Sequence, residues 1–195
     1  MNLESYYYNC SLEYINSIDP DLHDEIAAII DLLPKRQKQS EINADLFWLL
    51  TNKDWYYDTV PQGYSKGPVV EFQIQRSLQE IREWNNRSVC TTSTTLDTRW
   101  HADFAKSFDG LKLVQIEAQF GKVEAMFKDF CGFRIAYAER RLSLGIMIVP
   151  SDPMSYFAHR KSSIGGMASF HVAKDTLNVI GLDCPIWLVG IANSE

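Results

Sequence analysis

Two apolar runs without a charged residue, LGIMIV at 144–149 and IWLVGIA at 186–192, most strongly limit the folds open to this chain. Each is far shorter than the roughly 20 residues that a membrane-spanning helix needs, so we expect neither to cross a bilayer. Continuous apolar runs of this length are typical of strands that are covered on both faces. We therefore expect a buried sheet with helices packed against it.

Segments with helical spacing alternate with these strands. Apolar residues recur every three or four positions in 18–33, 70–81 and 123–141, and a short helix is predicted at 173–180. Asp19 and Pro20 would begin the first of these helices, because Asp caps free amides and Pro tolerates the first helical position. Helices alternating with apolar strands predict the α/β class, with a mixed β-sheet sandwiched by helices.

The chain has 195 residues, with 19 Lys and Arg against 25 Asp and Glu, and a formal net charge of −6. This balance excludes a uniformly basic surface that would coat nucleic acid. A polyanionic partner would need a locally basic groove, and candidates to line it occur at 35–38, at Lys122 and at 159–161.

The cysteines stand far apart, with no pair at the spacing of a metal-binding or redox motif. The first residues, MNLESYYYNC, lack the basic region and apolar run of a secretory signal. We therefore expect free thiols and a single domain over residues 1–195, located in the cytoplasm and not in a membrane.

A β-hairpin is predicted at about 100–120. The segments WHADFAKS and LKLVQIEAQF alternate in polarity, and the Asp-Gly pair between them supplies the turn. Residues that face each other across such a ladder have numbers with a constant sum, which a turn centred at Gly110 makes 220. Asp103 is therefore expected opposite Glu117, and His101 beside Gln119. A slip by one residue would turn the carboxylates toward the core.

Two opposed carboxylates either repel each other or share a cation, since their Cβ atoms lie about 5 Å apart. With oxygen ligands and no Cys or His set, the expected cation is a hard divalent ion such as Mg²⁺, which activates water and neutralises phosphate charge. Asp109 is rejected as a ligand because it lies in the turn. A solvated hairpin with two incidental acids remains the alternative reading of the pattern.

These residues carry a resemblance to a known family. Asp103 and Phe104, the turn, and IEAQFGK at 116–122 resemble the active-site hairpin of type II restriction endonucleases similar to BglII and BstYI. In this variant of the PD-(D/E)XK nuclease core, Gln replaces the usual Lys. The resemblance extends over most of the chain, in segments 11–15, 127–130, 145–150 and 185–191.

The resemblance implies a restriction-endonuclease-like core and a metal site. Asp103 and Glu117 would be catalytic, metal-binding carboxylates for Mg²⁺, with Mn²⁺ as a substitute. Gln119 would be the third catalytic residue, and its neutral amide would orient the attacking water rather than accept a proton.

The implied activity is that of a type II site-specific deoxyribonuclease that restricts foreign DNA. A homodimer would cleave a palindromic site in double-stranded DNA, since two-fold protein symmetry matches a two-fold site. Hydrolysis would leave 5′-phosphate and 3′-hydroxyl ends, and a GATC core is the expected target. A cognate DNA methyltransferase would belong to the same restriction-modification system.

A base-recognition loop is expected at about 155–172, where relatives place theirs. Arg or Lys there would contact a guanine edge, and Ser a base or a phosphate, although solvation explains these residues equally well. Lys122 could reach a phosphate. The candidate DNA-binding residues are Lys122, Arg160, Lys161, Ser162, Ser163 and Ser169.

Several alternatives stay open. A further acidic ligand could come from Glu71, Glu80 or Glu83, among which the spacing does not choose. His101 fits either a place beside the metal or a packing role. Rival functions are a non-specific or repair nuclease of the same core, and a catalytically inactive DNA-binding module of the same fold.

Overall fold

Six strands form one mixed sheet in a computed structural model that describes residues 2–64, 67–97, 100–157 and 165–192. The strands are β1 (Asn2–Tyr8), β2 (Tyr56–Tyr57), β3 (Phe104–Phe108), β4 (Lys112–Ala118), β5 (Leu142–Pro150) and β6 (Ile186–Ala192). Their order is β1-β6-β5-β4-β3-β2. The β4–β5 and β5–β6 pairs are parallel and the other pairs antiparallel. The predicted α/β class with a mixed sheet is confirmed.

Helices cover both faces of this sheet. They are α1 (Leu12–Ile18), α2 (Leu22–Leu32), α3 (Gln39–Thr51), α4 (Leu78–Trp84), α5 (Val123–Ala138), α6 (Pro153–Tyr156) and α7 (Phe170–Ile180), with 3₁₀ turns at Val70–Phe72 and Arg87–Cys90. None of these helices is long and apolar enough to cross a membrane, as judged over the described residues.

Strand β5 divides the core in two. Ile146 and Ile148 pack in a cluster with residues of α2 and α3, while Met147 and Val149 pack in a second cluster with residues of α5 and α7. Successive side chains of a strand point to opposite faces, so a run with no polar residue requires cover on both sides. The apolar run at 144–149 therefore lies where the sequence places it.

The hairpin of β3 and β4 has the predicted register. Phe104 pairs with Ile116 and Phe108 with Lys112, so paired residue numbers sum to 220. Asp109 and Gly110 form the turn with φ values of 51° and 70°, a conformation that Gly and Asp tolerate better than most residues.

The expected start of the hairpin near residue 100 is wrong. Strand β3 begins at Phe104, and His101 forms an isolated bridge with Thr91 rather than pairing beside Gln119. The cause is tertiary: Ala102 N–H donates to Cys90 O at 2.8 Å, so the chain just before β3 is held by the 3₁₀ turn.

The expected single helix over 70–81 is also wrong. Val70 is 91% exposed, and the chain turns through Gln73 with φ 49° before α4 begins. Ser77 and Glu80 form a capping box, which satisfies the first amides of α4 and starts a new helix there.

Three further differences from the predicted elements lie in the first and last parts of the chain. Ile18 ends α1 instead of opening the next helix, and the Asp19 carboxylate accepts from the N–H of Asp21. Strand β1 was not predicted, because NLESYYY carries little apolar alternation. Helix α7 begins at Phe170, three residues before the predicted start, because Ser169 caps it.

Candidate active site

Asp103 and Glu117 lie together at the open end of the β3–β4 hairpin. The N–H of Asp103 donates a long hydrogen bond to Glu117 Oε2 at 3.4 Å, and the N–H of Ala118 donates to Asp103 Oδ2 at 2.9 Å. The main chain of each strand thus holds the carboxylate of the other. The hairpin register, which the core enforces, therefore sets the geometry of the pair.

The environment disfavours negative charge on both side chains. Burial raises the pKa of Glu117, which is 8% exposed, well above its usual range, and the charges of Asp103 and Asp129 add to this effect. Asp103 is exposed at the end of the hairpin, yet desolvation by the surrounding protein still raises its pKa to about 6. The Ala118 N–H opposes this shift by stabilising the anion.

A divalent cation fits this arrangement. Two carboxylates with raised pKa values repel each other, and a bound cation would relieve that repulsion. The positive charge of Lys128 lowers the pKa of both carboxylates, as a cation would, but Lys128 lies on the exposed face of α5. Among the described residues, no three His, Cys, Asp or Glu side chains are arranged to hold a metal by themselves. A cation held here would therefore need ligands from water or from a substrate.

Gln119, the third predicted catalytic residue, lies just beyond the end of β4. Its N–H donates to Ile148 O at 2.8 Å, which continues the bonding between β4 and β5. Its side-chain amide is held at both ends: Nε2 donates to Asp129 Oδ2 at 2.9 Å, and Oε1 accepts from the N–H of Gly121 at 2.9 Å.

Asp129 is a site residue that the sequence analysis missed. It lies on α5, is 6% exposed, and its charge raises the pKa of both Asp103 and Glu117. Burial also raises the pKa of Asp129 itself, against a hydrogen bond from Gln119 that lowers it. The available signal was an acid three residues after Met126, on the buried face of an otherwise apolar helical stripe.

Among the described residues, His101 makes no direct contact with the carboxylates of Asp103 and Glu117. Its Nδ1 lies 3.5 Å from Asp58 Oδ1, which also accepts from Arg87 Nε at 2.6 Å. The Asp58 N–H donates to Asp103 O at 3.1 Å, and the Asp58 charge contributes to the raised pKa of Asp103. Asp58 thus supports the chain on which Asp103 sits, and His101 lies beside Asp58.

A cleft of about 330 Å³ opens beside Asp103. Its walls include Gln39, Ser40 and Asn43 from the start of α3, and Ala118 from β4. Asn43 Oδ1 is buried there with no hydrogen-bond partner. The cleft gives a ligand access to Asp103 from the side of α3.

The three candidates for a further acidic ligand are engaged or exposed elsewhere. Glu80 belongs to the capping box of α4, Glu83 accepts from Gln79 Nε2 at 2.8 Å, and Glu71 is exposed in a 3₁₀ turn. Asp129 is among the largest influences on the pKa values of Asp103 and Glu117, and none of these three residues is. The further acid near the pair is therefore Asp129, on the helix after the hairpin, and it accepts a hydrogen bond from Gln119 rather than completing a set of three metal-binding side chains.

The candidate DNA-contacting basic residues differ in exposure and in the contacts they make. Lys122 is exposed at the N-cap of α5, directly after the active-site strand. Arg36 forms two hydrogen bonds with the buried Asp45, at 2.6 and 3.0 Å, so it is not free for a phosphate in this state. Lys35 and Lys38 on either side of it are exposed.

Much of the expected recognition loop lies outside the described residues, including Arg160, Lys161, Ser162 and Ser163. Ser169 is described and is 9% exposed. Its hydroxyl accepts from the N–H of Val172 and caps α7. A DNA contact by any of these residues stays a prediction.

Two of three comparisons with known proteins find a match. The fold matches a crystal structure of the restriction endonuclease BglII complexed with a DNA 16-mer, with a TM-score of 0.60 and 15% sequence identity. That match covers 100% of this chain and 78% of the BglII chain. A comparison with curated protein sequences finds no match. The family model for restriction endonucleases BglII/BglIII matches residues 3–191. The chain therefore belongs to the BglII/BglIII restriction endonuclease family.

Proposed function

We propose that this chain is a Mg²⁺-dependent type II restriction endonuclease that cleaves a palindromic site in double-stranded DNA. Family membership supports the nuclease activity, and the fold is that of a restriction endonuclease seen on DNA. The observation that carries the metal dependence is the pairing of Asp103 and Glu117, whose carboxylates share one end of a hairpin with raised pKa values.

Asp103 and Glu117 are the proposed ligands of the metal, for which Mn²⁺ would substitute. When bound, such an ion lowers the pKa of a water molecule and neutralises charge that develops on the phosphate. Asp103 is held by Ala118 N–H and Glu117 by Asp103 N–H, so both present their oxygens without a large rearrangement. Pre-positioned ligands of this kind cost little reorganisation during reaction.

Gln119 is the proposed residue that orients the attacking water. Its amide cannot act as a general base, because a neutral amide is a very weak proton acceptor. It has one N–H and one oxygen lone pair beyond the two hydrogen bonds it makes to Asp129 and Gly121. In-line attack of water on phosphorus, with cleavage of the P–O3′ bond and departure of the 3′ oxygen, would leave a 5′-phosphate and a 3′-hydroxyl.

The finer points of the proposal follow the family. A homodimer would place one site on each strand of a palindrome, with a GATC core as the expected sequence, and a cognate methyltransferase would protect the host. Lys122 would contact a phosphate near the site. The segment at about 155–172 would read bases.

The deciding experiment is digestion of a long duplex DNA with purified protein and Mg²⁺, followed by sequencing of the ends. Discrete fragments with one shared end sequence and 5′-phosphates support the proposal. A smear of unrelated ends supports the non-specific nuclease instead. Duplex binding without cleavage in Mg²⁺ or Mn²⁺ supports the inactive DNA-binding module and contradicts the proposed activity.

A further inference from the structure

The amide of Gln119 has only one chemically acceptable orientation. Oε1 faces the N–H of Gly121 and Nε2 faces the carboxylate of Asp129, each at 2.9 Å. A flipped amide would oppose an N–H with NH₂ and a carboxylate with a carbonyl oxygen, which are two repulsive contacts. The side chain that follows the metal-site strand is therefore fixed in rotation as well as in position.

Asp129 is the stronger of the two restraints. Its hydrogen bond to Gln119 has an ionised acceptor, and such bonds are shorter and stronger than neutral ones. Asp129 is 6% exposed, and a buried carboxylate is costly unless it is paired. The helix therefore carries a charge inside its apolar face at the one position where it meets the Gln119 amide.

Gly121 completes the cradle from the other side. A Cβ atom at this position would lie 2.9 Å from Gln119 Oε1, closer than real Cβ contacts allow. Its φ is not in the left-handed region, so the need for glycine comes from space around the amide rather than from backbone strain. An alanine at 121 would therefore push the Gln119 amide out of its present position, and Gln119 Oε1 is the atom nearest to the added Cβ.

We propose that Asp129 is a positioning residue that orients the Gln119 amide for the hydrolysis proposed above. The inference rests on that proposed function, since an oriented amide matters only if Gln119 faces the reacting water. Asp129 acts through Gln119 and does not itself contact substrate. Its role differs from that of a buried structural acid, because its effect on turnover should vanish when Gln119 is absent.

A double-mutant cycle tests this role. Asp129→Ala should lower kcat about tenfold at saturating Mg²⁺ and DNA, the size expected when one charge-assisted contact to a catalytic group is lost. The KM for DNA should stay within about twofold of the wild-type value, because the contact serves the transition state. At saturating Mg²⁺, which offsets the effect of the Asp129 charge on Asp103 and Glu117, the same substitution should leave kcat unchanged in a Gln119→Ala background. Equal losses of kcat in both backgrounds would overturn the proposal.

Three further variants separate positioning from folding. Asp129→Asn keeps an acceptor for Gln119 Nε2 and should restore most of the lost kcat. Gly121→Ala should also lower kcat, because it displaces the Gln119 amide. This variant tests the proposal even if Asp129→Ala does not fold. Glu124→Ala removes an exposed carboxylate from the same helix and should leave kcat unchanged. A wild-type kcat in Gly121→Ala would contradict the proposal. A kcat of Asp129→Asn no higher than that of Asp129→Ala would contradict it as well.

A readout on the metal-free protein is independent of turnover. The side-chain amide protons of Gln119, assigned by their loss in Gln119→Ala, should shift upfield and exchange faster with water in Asp129→Ala. Unchanged resonances would overturn the positioning role even if the protein cleaves DNA. Shifted resonances in a protein that cuts no DNA would support the positioning role and reject the proposed function, so the two failures are distinguishable.

Discussion

The N–H of Asp103 donates to the carboxylate of Glu117, 14 positions along the chain, at 3.4 Å. The reverse contact, from Ala118 N–H to Asp103 Oδ2, closes the pair at 2.9 Å. Two acids that would otherwise repel are thus held face to face by hydrogen bonds to the backbone. A site built in this way stores electrostatic repulsion that a cation can relieve.

Removal of the Asp103 charge should impair cleavage strongly, whereas the same chemical change at Asp109 should not. Asp103→Asn should lower Mg²⁺-dependent cleavage by more than about 100-fold, because loss of a direct ligand should exceed the effect of losing an outer partner. Asp109→Asn makes the same chemical change in the turn of the same hairpin, where Asn tolerates a φ of 51°. Single-turnover cleavage assays measure both variants. Equal activity of Asp103→Asn and Asp109→Asn would contradict the assignment of Asp103.

Glu117→Gln should stabilise the metal-free protein at neutral pH. A raised pKa in the folded state means that the folded protein holds a proton more tightly than the unfolded chain, so this group's contribution to stability declines as pH rises above about 4.5. Replacing the buried carboxylate by a neutral amide removes that loss and should raise Tm by about 2–4 °C at pH 8. Thermal melts in EDTA at pH 5 and pH 8 measure the effect. A gain that does not shrink at the lower pH would count against it.

Binding of Mg²⁺ should release protons near pH 6. Asp103 has a pKa of about 6, and a metal ligand must be ionised to bind, so the apparent affinity for Mg²⁺ should rise as pH increases through this value. Calorimetric titrations in two buffers with different ionisation enthalpies give the number of protons released. A binding enthalpy that is independent of the buffer at pH 6 would contradict this coupling.

Arg36 should contribute to stability, whereas the exposed Lys35 beside it should not. Arg36→Ala leaves the carboxylate of Asp45, which is 3% exposed, without its partner and should cost about 3 kcal/mol of unfolding free energy. Lys35→Ala removes an exposed charge and should change stability by less than about 0.5 kcal/mol. Urea unfolding distinguishes the two variants. A stable Arg36→Ala protein would show that the ion pair contributes little.

Lys122 should contribute to the salt dependence of DNA binding. Each phosphate contact adds about one to the slope of log K against log salt, so Lys122→Ala should reduce that slope by about one. Lys174→Ala is the control, because Lys174 lies over the ring of Tyr6 on β1, at the far edge of the sheet from the site. Fluorescence titrations of a duplex between low and physiological salt give both slopes. Equal slopes for the two variants would place Lys122 outside the DNA interface.

Local pattern determined much of this protein. The apolar run at 144–149 predicts a strand covered on both faces, because no side of it tolerates water. The Asp-Gly turn and the alternation of β4 together set the register, so the closeness of Asp103 and Glu117 followed from the sequence without a structure. Turn chemistry and side-chain alternation act over few residues, and for this reason they can be read from the chain.

Only the tertiary structure decided what gathers around that pair. Asp129 meets Gln119 because α5 folds back on the sheet, and helical spacing alone does not say which face of a later helix meets the end of an earlier strand. The chain before β3 is likewise held by Cys90 rather than by the hairpin, which moved His101 away from Gln119 and toward Asp58. Contacts between distant segments depend on how the elements pack, and periodicity along the chain does not predict that packing.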